Sequence, residues 1–351
     1  MIQTKYRIHF FVASLLHFLI FIPFIFQKFI GPDWDSYALL GTVMNLYEDS
    51  LYLPSRPPGF PLYEFFLTFV YGLSNYLNLN FETLFLISQF IFVVGNNFII
   101  LNFFQKQSSQ RIFLYYIIVF SPIYLTSGLS VIDYHAGLFF GLLALYLAVH
   151  VDQTRIFVSV LLAVSTGIRL SNVIFVIAVL FIFYRKKDSI QDLFKFTITT
   201  GIFSMLIYFP GYLDLWNSTL SDNLTSPTDM VCILNLTNTD HTLIGRLGRF
   251  VLKQLDFLGV IGTFVALFFV FKIRRKDILK NLNWFIVFLL FEIFSTNKEH
   301  LVLIFLIFLG LQSPQSPLIR GTPPDEPHPR LSLIHISEPT RLLSIAYAGF
   351  W

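Results

Sequence analysis

The stretch that decides the fold is IHFFVASLLHFLIFIPFIFQKFI, residues 8–30, in which Lys28 is the only Lys, Arg, Asp or Glu. An apolar run of about 20 residues is long enough to cross the hydrocarbon core of a bilayer as a helix. The whole chain shares this character, because 55% of its 351 residues are hydrophobic, 13% are charged and the mean hydropathy is +0.68. A soluble domain carries about 25% charged residues, so the sequence predicts an all-α polytopic membrane protein.

The first run is too long for the core of a signal peptide and has no small-residue cleavage site, so we expect it to be retained as an anchor. Nine further apolar runs complete a set of about ten predicted transmembrane helices, at residues 82–104, 112–128, 134–151, 155–169, 170–184, 193–212, 254–272, 282–296 and 299–313. Lys and Arg accumulate in cytoplasmic loops. With a cytoplasmic N-terminus and alternating spans, the basic clusters at 5–7, 106–111, 155, 185–187 and 272–280 all fall on the cytoplasmic side.

This topology requires that residues 60–73, FPLYEFFLTFVYGL, do not cross the membrane. If they did, the basic cluster at 106–111 would lie on the extracytoplasmic side. Residues 36–49 and 60–73 are therefore predicted to form two juxtamembrane helices at the outer interface. Their aromatic residues Tyr37, Tyr47, Tyr63 and Tyr71 would lie at headgroup level. The predicted external loops are residues 31–75 and 213–253.

Ionisable side chains from separate loops gather on the outer side in this threading, and such groups at membrane depth are costly and typically functional. A carboxylate can act as general base toward a hydroxyl, and Arg or Lys can bind a phosphate. The candidates are Asp33, Asp35, Arg56, Asp133, His135, Arg169 and Lys298. Each also has a purely structural interpretation: a helix N-cap for Asp35, snorkelling for the two arginines, and turn or loop positions for the others.

Four stretches resemble parts of the GT-C superfamily of integral-membrane glycosyltransferases, particularly its protein-mannosyltransferase and aminoarabinose-transferase-like branch. DWDSYALLGTVMNLYEDSLYLPSRPPGFPLYEFF, residues 33–66, is similar to the first external loop of that family, with its acidic motif and two juxtamembrane helices. The second acidic site of the family resembles SVIDYHAGLFFGLLALYLAV (130–149). Its arginine-bearing helix junction resembles GIRLSNVIFVIAVL (167–180), and its lysine-containing loop resembles TNKEHLVLIFLIFLGL (296–311).

The resemblance implies an inverting transfer of a sugar from a polyprenyl-phosphate donor to a lipid, glycan or protein acceptor. The active site would face the extracytoplasmic side of a bacterial inner membrane. Asp33 looks like the catalytic base with Asp35 secondary, although which of the two acts is open. The donor-phosphate ligands would be Arg56, Arg169 and Lys298, and the acceptor or sugar site would comprise Tyr63, Asp133, His135 and His300. No cofactor is expected, a divalent metal at the two aspartates is left open, and no nucleic-acid partner is predicted, because the short basic clusters follow from topology.

Three other classes of membrane protein share part of this pattern. An O-antigen-type polymerase or ligase also has external arginines, but its key loop normally lies late in the chain. A transporter or flippase would place ionisable groups at mid-membrane, often with internal repeats, whereas the charges here lie at the ends of the predicted spans. A non-enzymatic scaffold is the third alternative.

The amino-acid composition changes abruptly near the C-terminus. Residues 314–330 are Pro-rich, LSLIHISEPTR (331–341) resembles the in-frame translation of a transposase-type sequencing adapter, and IAYAGFW (345–351) resembles its continuation. We therefore expect residues 331–351 to be foreign to the native protein and the native chain to be longer. The predicted transmembrane glycosyltransferase-like domain comprises residues 1–313, and residues 314–330 are not assigned to it.

Overall fold

The described part of the chain is built from helices. The computed structural model describes residues 4–31, 34–50, 52–55, 60–104, 109–151, 155–186 and 188–222, and contains no strand within them. The helices are α1 Thr4–Gln27, α2 Trp34–Glu48, α3 Pro61–Leu77, α4 Phe81–Phe104, α5 Ser109–Val119, α6 Pro122–Leu129, α7 Tyr134–His150, α8 Arg155–Ile168, a 3-10 turn Leu170–Asn172, α9 Val173–Arg185 and α10 Ile190–Asp222. The predicted all-α class is confirmed for these residues.

Three of these helices are long and apolar enough to cross a membrane: Tyr6–Gln27, Phe81–Phe103 and Ile190–Phe209. They correspond to the predicted spans 8–30, 82–104 and 193–212. A fourth candidate is the pair α6 and α7, which is bent by 116° at its junction. The spans predicted at 254–272, 282–296 and 299–313 lie outside the described residues.

The predicted span 112–128 is divided into α5 and α6 by Pro122. Proline has no N–H to donate to the carbonyl four residues earlier, and the hydroxyl of Ser121 donates to that Ile118 carbonyl instead, at 2.9 Å. The neighbouring carbonyl of Val119 accepts a hydrogen bond from Nε2 of His17 in α1, at 2.9 Å. A buried histidine on another helix therefore satisfies a backbone group at the break.

Helix α10 continues to Asp222, ten residues past the predicted end of its span at 212. The prediction ended where the apolar residues end, but a helix that leaves the hydrocarbon core keeps all its backbone hydrogen bonds and can continue in water. Residues 213–222 are thus helical, and the rest of the predicted loop 213–253 lies outside the described residues.

The helices enclose two apolar clusters. The larger is formed mainly by α1, α4, α5, α7, α8 and α9, and α7 approaches α9 closely because position 141 is glycine. A Cβ on Gly141 would lie 2.3 Å from a ring carbon of Phe175, and small residues permit such close helix contact in membranes. The smaller cluster joins α2 and α3 to the start of α4, the turn before α7 and the end of α8 through Leu39, Val43, Tyr63, Leu67, Val70, Phe81, Phe85, Leu86, Val131, Ala136 and Ile168.

Candidate active site at the α6–α7 and α8–α9 junctions

A buried ion pair joins the two helix junctions beside the smaller cluster. Nη1 of Arg169 donates to Oδ1 of Asp133 at 2.6 Å, and the two side chains are 6% and 0% exposed. Asp133 immediately precedes α7, and Arg169 follows α8 with an extended backbone (φ −152°, ψ 116°) before the 3-10 turn. Because α7 and α8 pack against each other, the end of one and the start of the other bring these side chains together.

Aromatic rings surround the guanidinium group. Cζ of Arg169 lies 3.9 Å from the centre of the Tyr134 ring and 6.0 Å from that of Phe60, a geometry in which the face of a ring attracts a cation. Arg169 is thus held by a carboxylate and by a stacked ring. Oδ2 of Asp133 and Nε of Arg169 are buried and have no hydrogen-bond partner among the described residues, so within this part of the chain the pair satisfies only part of its own polar surface.

Tyr63 of α3 is linked to the same junction. Its hydroxyl donates to the carbonyl of Ile132 at 2.7 Å and accepts from Nε2 of Gln89 in α4 at 2.8 Å. Burial, and then the charge of Asp133, raise the pKa of Tyr63 well above its ordinary value. Tyr63 therefore stays a neutral phenol that fixes the residue just before Asp133.

The residues that flank the first acidic motif lie against the turn that leads to Asp133. The N–H of Val131 donates to the carbonyl of Ile30 at 2.7 Å. Gly31 has φ +132°, and a Cβ there would lie 2.6 Å from Oγ of Ser36 and 3.0 Å from Cβ of Ser130. The position therefore requires glycine for both its backbone conformation and its close contacts. Asp35 lies in the first turn of α2 and is half-buried.

Glu64 of α3 bonds to the residues on either side of RPPG, residues 56–59. Its carboxylate, which is 0% exposed, accepts hydrogen bonds from the N–H and hydroxyl of Ser55 (2.8 and 2.6 Å), the N–H of Phe60 (3.1 Å) and the hydroxyl of Tyr52. Sequence reasoning did not select Glu64 as a functional residue. The available signal was an acidic side chain within the apolar run FPLYEFF, where a charge is expensive unless it is hydrogen-bonded.

The structure brings three of the predicted site residues together: Tyr63, Asp133 and Arg169. His135 instead contacts α4 and α6, because Nε2 lies 2.8 Å from the Tyr124 carbonyl and Nδ1 lies 3.3 Å from Nδ2 of Asn96. Its role at an acceptor or sugar site stays a prediction. The remaining candidates lie outside the described residues: Asp33, Arg56, Lys298 and His300.

The described residues contain no group of three or more His, Cys, Asp or Glu side chains that could hold a metal ion. The metal site considered at Asp33 and Asp35 includes Asp33, which lies outside the described residues. Comparisons of the chain with protein-family models, with curated proteins and with solved structures give no match.

Proposed function

We propose that this chain is a GT-C-type membrane glycosyltransferase, a hexosyl or pentosyl transferase that moves a sugar with inversion from a polyprenyl-phosphate donor to an extracytoplasmic acceptor. The observation that carries the proposal is the convergence of four separate segments on one junction. Ile30 and Gly31 contact the turn before Asp133, Asp133 pairs with Arg169, and Phe60 lies beside that arginine. Three of these segments, which contain Phe60, Asp133 and Arg169, belong to stretches that resemble motifs of the family, and Ile30 and Gly31 lie just before the first of those stretches.

In the proposed reaction, Asp33 or Asp35 removes the proton from an acceptor hydroxyl. The hydroxyl oxygen attacks the anomeric carbon of the sugar from the face opposite the phosphate. The bond between that carbon and the phosphate oxygen breaks, and its electron pair leaves with the phosphate. The products are the glycosylated acceptor with an inverted anomeric centre and polyprenyl phosphate, and the proton remains on the aspartate.

The leaving phosphate gains negative charge, which a positioned guanidinium group stabilises. Asp133 and the ring of Tyr134 hold Arg169 in one orientation, so little reorganisation is needed when the charge develops. Because Asp133 offsets most of the charge of Arg169, the pair offers oriented N–H groups rather than a full positive charge. We therefore assign the net positive charge at the phosphate to Arg56 and Lys298.

The two helices of the first loop fit the juxtamembrane role that the proposal gives them. Helix α2 has 15 residues and α3 has 17, which at 1.5 Å per residue span about 22 and 26 Å. Because α7, α8 and α9 are no longer than α3, the juxtamembrane role rests on the cytoplasmic placement of the basic cluster at 106–111 and not on helix length. The active site would then face the outside of the bacterial cytoplasmic membrane, at the level of the lipid phosphates.

The proposal is tested by supplying the purified protein with polyprenyl-phosphate sugars and measuring the release of polyprenyl phosphate. Replacing the general base, by Asp33→Asn or Asp35→Asn, should lower the rate by a factor of about 10² to 10⁴. Asp49→Asn is the matched control, since Asp49 is an exposed carboxylate just after α2. Full activity of both variants would contradict the site assignment, and no release by the unaltered protein with any such donor would contradict the function.

A further inference from the structure

We infer that Glu64 is a positioning residue, which fixes Ser55 and Phe60 against the start of α3 and thereby sets the affinity for the donor phosphate. The inference rests on the proposed function, because the donor phosphate is part of it. Glu64 does not touch Arg169 in the structure. It acts through Phe60, whose ring lies 6.0 Å from Cζ of that arginine.

The hydrogen bonds of Glu64 go beyond what the start of a helix requires. An acidic side chain in the first turns of a helix often accepts from a backbone N–H at its start, and the bond from Phe60 N–H is of this kind. The other three come from Ser55 and Tyr52, nine and twelve residues earlier in the chain. Together with the bond from Phe60, they hold Tyr52 and Ser55 against the start of α3.

The partners of Glu64 are themselves held in place. The ring of Tyr52 stacks on Phe65, with 5.5 Å between ring centres and 14° between ring planes. The carbonyl of Phe60 accepts from the N–H groups of Tyr63 and Glu64 at 2.9 Å each. Phe60 is therefore fixed by α3 from both its N–H and its carbonyl, and its ring faces the guanidinium group of the ion pair.

The first arm of the test measures amide hydrogen exchange of the intact protein in nanodiscs. Glu64→Gln replaces a carboxylate that accepts four hydrogen bonds by an amide with one acceptor oxygen, so the amides of Ser55 and Phe60 should exchange roughly tenfold faster. Tyr52→Phe, which removes one donor, should produce a smaller change in the same direction and guards against misfolding of the first variant. Glu82→Gln is the matched control, because Glu82 lies in the first turn of the neighbouring α4.

The second arm measures the Kd of farnesyl phosphate, a short polyprenyl phosphate, together with the donor KM and kcat of sugar transfer. We expect Glu64→Gln to raise the Kd and the donor KM by roughly tenfold and to change kcat by less than about twofold, the pattern of lost ground-state binding. A merely destabilised protein would lose active molecules, which lowers kcat at an unchanged KM.

Two results would overturn the inference: exchange at Ser55 and Phe60 in Glu64→Gln no faster than in Glu82→Gln, or faster exchange with an unchanged Kd. The failure of the proposed function is separate from both. If the unaltered protein transfers sugar and Glu64→Gln keeps its Kd, the inference about Glu64 is wrong. If the unaltered protein releases no product but Glu64→Gln weakens farnesyl phosphate binding, the transfer reaction is wrong and the positioning role stands.

Discussion

Replacing Asp133 by asparagine keeps the shape of the side chain but leaves the charge of Arg169 buried without its counter-ion. Both side chains are almost fully buried, and their atoms are 2.6 Å apart. Removing one partner of such a pair costs about 3–5 kcal/mol, because a buried charge is left uncompensated. We expect Asp133→Asn and Arg169→Met each to lower the free energy of unfolding by about this amount.

The double variant should cost far less than the sum of the two single variants. With neither charge present, no unpaired ion remains buried, so the penalty that each single variant carries is absent. The hydrogen bonding of the pair is also incomplete, since Oδ2 of Asp133 and Nε of Arg169 lack partners in the part of the chain that the structure describes. Because the double variant should cost much less than the two single variants together, we expect a coupling free energy of at least about 2 kcal/mol between the two positions.

The assay is unfolding of the purified protein in mixed micelles, titrated with SDS and followed by far-UV circular dichroism for the four members of the double-mutant cycle. Arg155→Met is the control, because Arg155 is 40% exposed and pairs with Asp188 at 3.0 Å. A surface pair of this kind should contribute less than about 1 kcal/mol. Additive costs at Asp133 and Arg169, with a coupling below about 0.5 kcal/mol, would refute the reasoning.

Two further changes test other parts of the structure. Gly141→Ala places a Cβ 2.3 Å from the Phe175 ring and should destabilise the protein by about 1–3 kcal/mol. The same change at Gly41, where no atom of the described residues lies within 4 Å of the added Cβ, should be neutral or stabilising by up to about 1 kcal/mol. Equal thermal unfolding temperatures of the two variants would contradict this packing. Tyr63→Phe removes the hydroxyl bonded to Ile132 and should cost about 1–3 kcal/mol, with a loss of transfer activity. Wild-type stability and activity together would show that this bond does not fix the turn before Asp133.

The helices were predicted mainly from the lengths of the apolar runs, because the thickness of the bilayer sets how many apolar residues a spanning helix needs. For this reason α1, α4 and the membrane-length part of α10 were predicted close to their observed bounds. The division of the span 112–128 was missed although Pro122 signals it, because the apolar run continues through the proline. Whether a proline ends or merely bends a membrane helix depends on partners such as His17, which a local pattern does not reveal.

Individual residues of the site could be predicted from the sequence, but the contacts between them could not. Asp133 and Arg169 were each selected as rare ionisable groups near span ends, yet their mutual contact depends on how α7 and α8 pack. His135 was grouped with Asp133 because they are close in sequence, whereas its ring is bonded to α4 and α6. Glu64 was missed because its importance depends on hydrogen bonds from Tyr52 and Ser55, twelve and nine residues earlier, which a local sequence pattern does not reveal.

The charges of Asp133 and Arg169 also match the dipoles of the helices that they flank. Asp133 lies at the N-terminus of α7, the positive end of a helix dipole, and Arg169 lies at the C-terminus of α8, the negative end. Each charge is therefore favoured by the backbone of its own helix, by about 0.3–1 kcal/mol or more where it is buried. Exchanging the two residues would keep an ion pair but set both charges against their helices. The dipoles of α7 and α8 thus favour the observed arrangement, with the anion before α7 and the cation after α8.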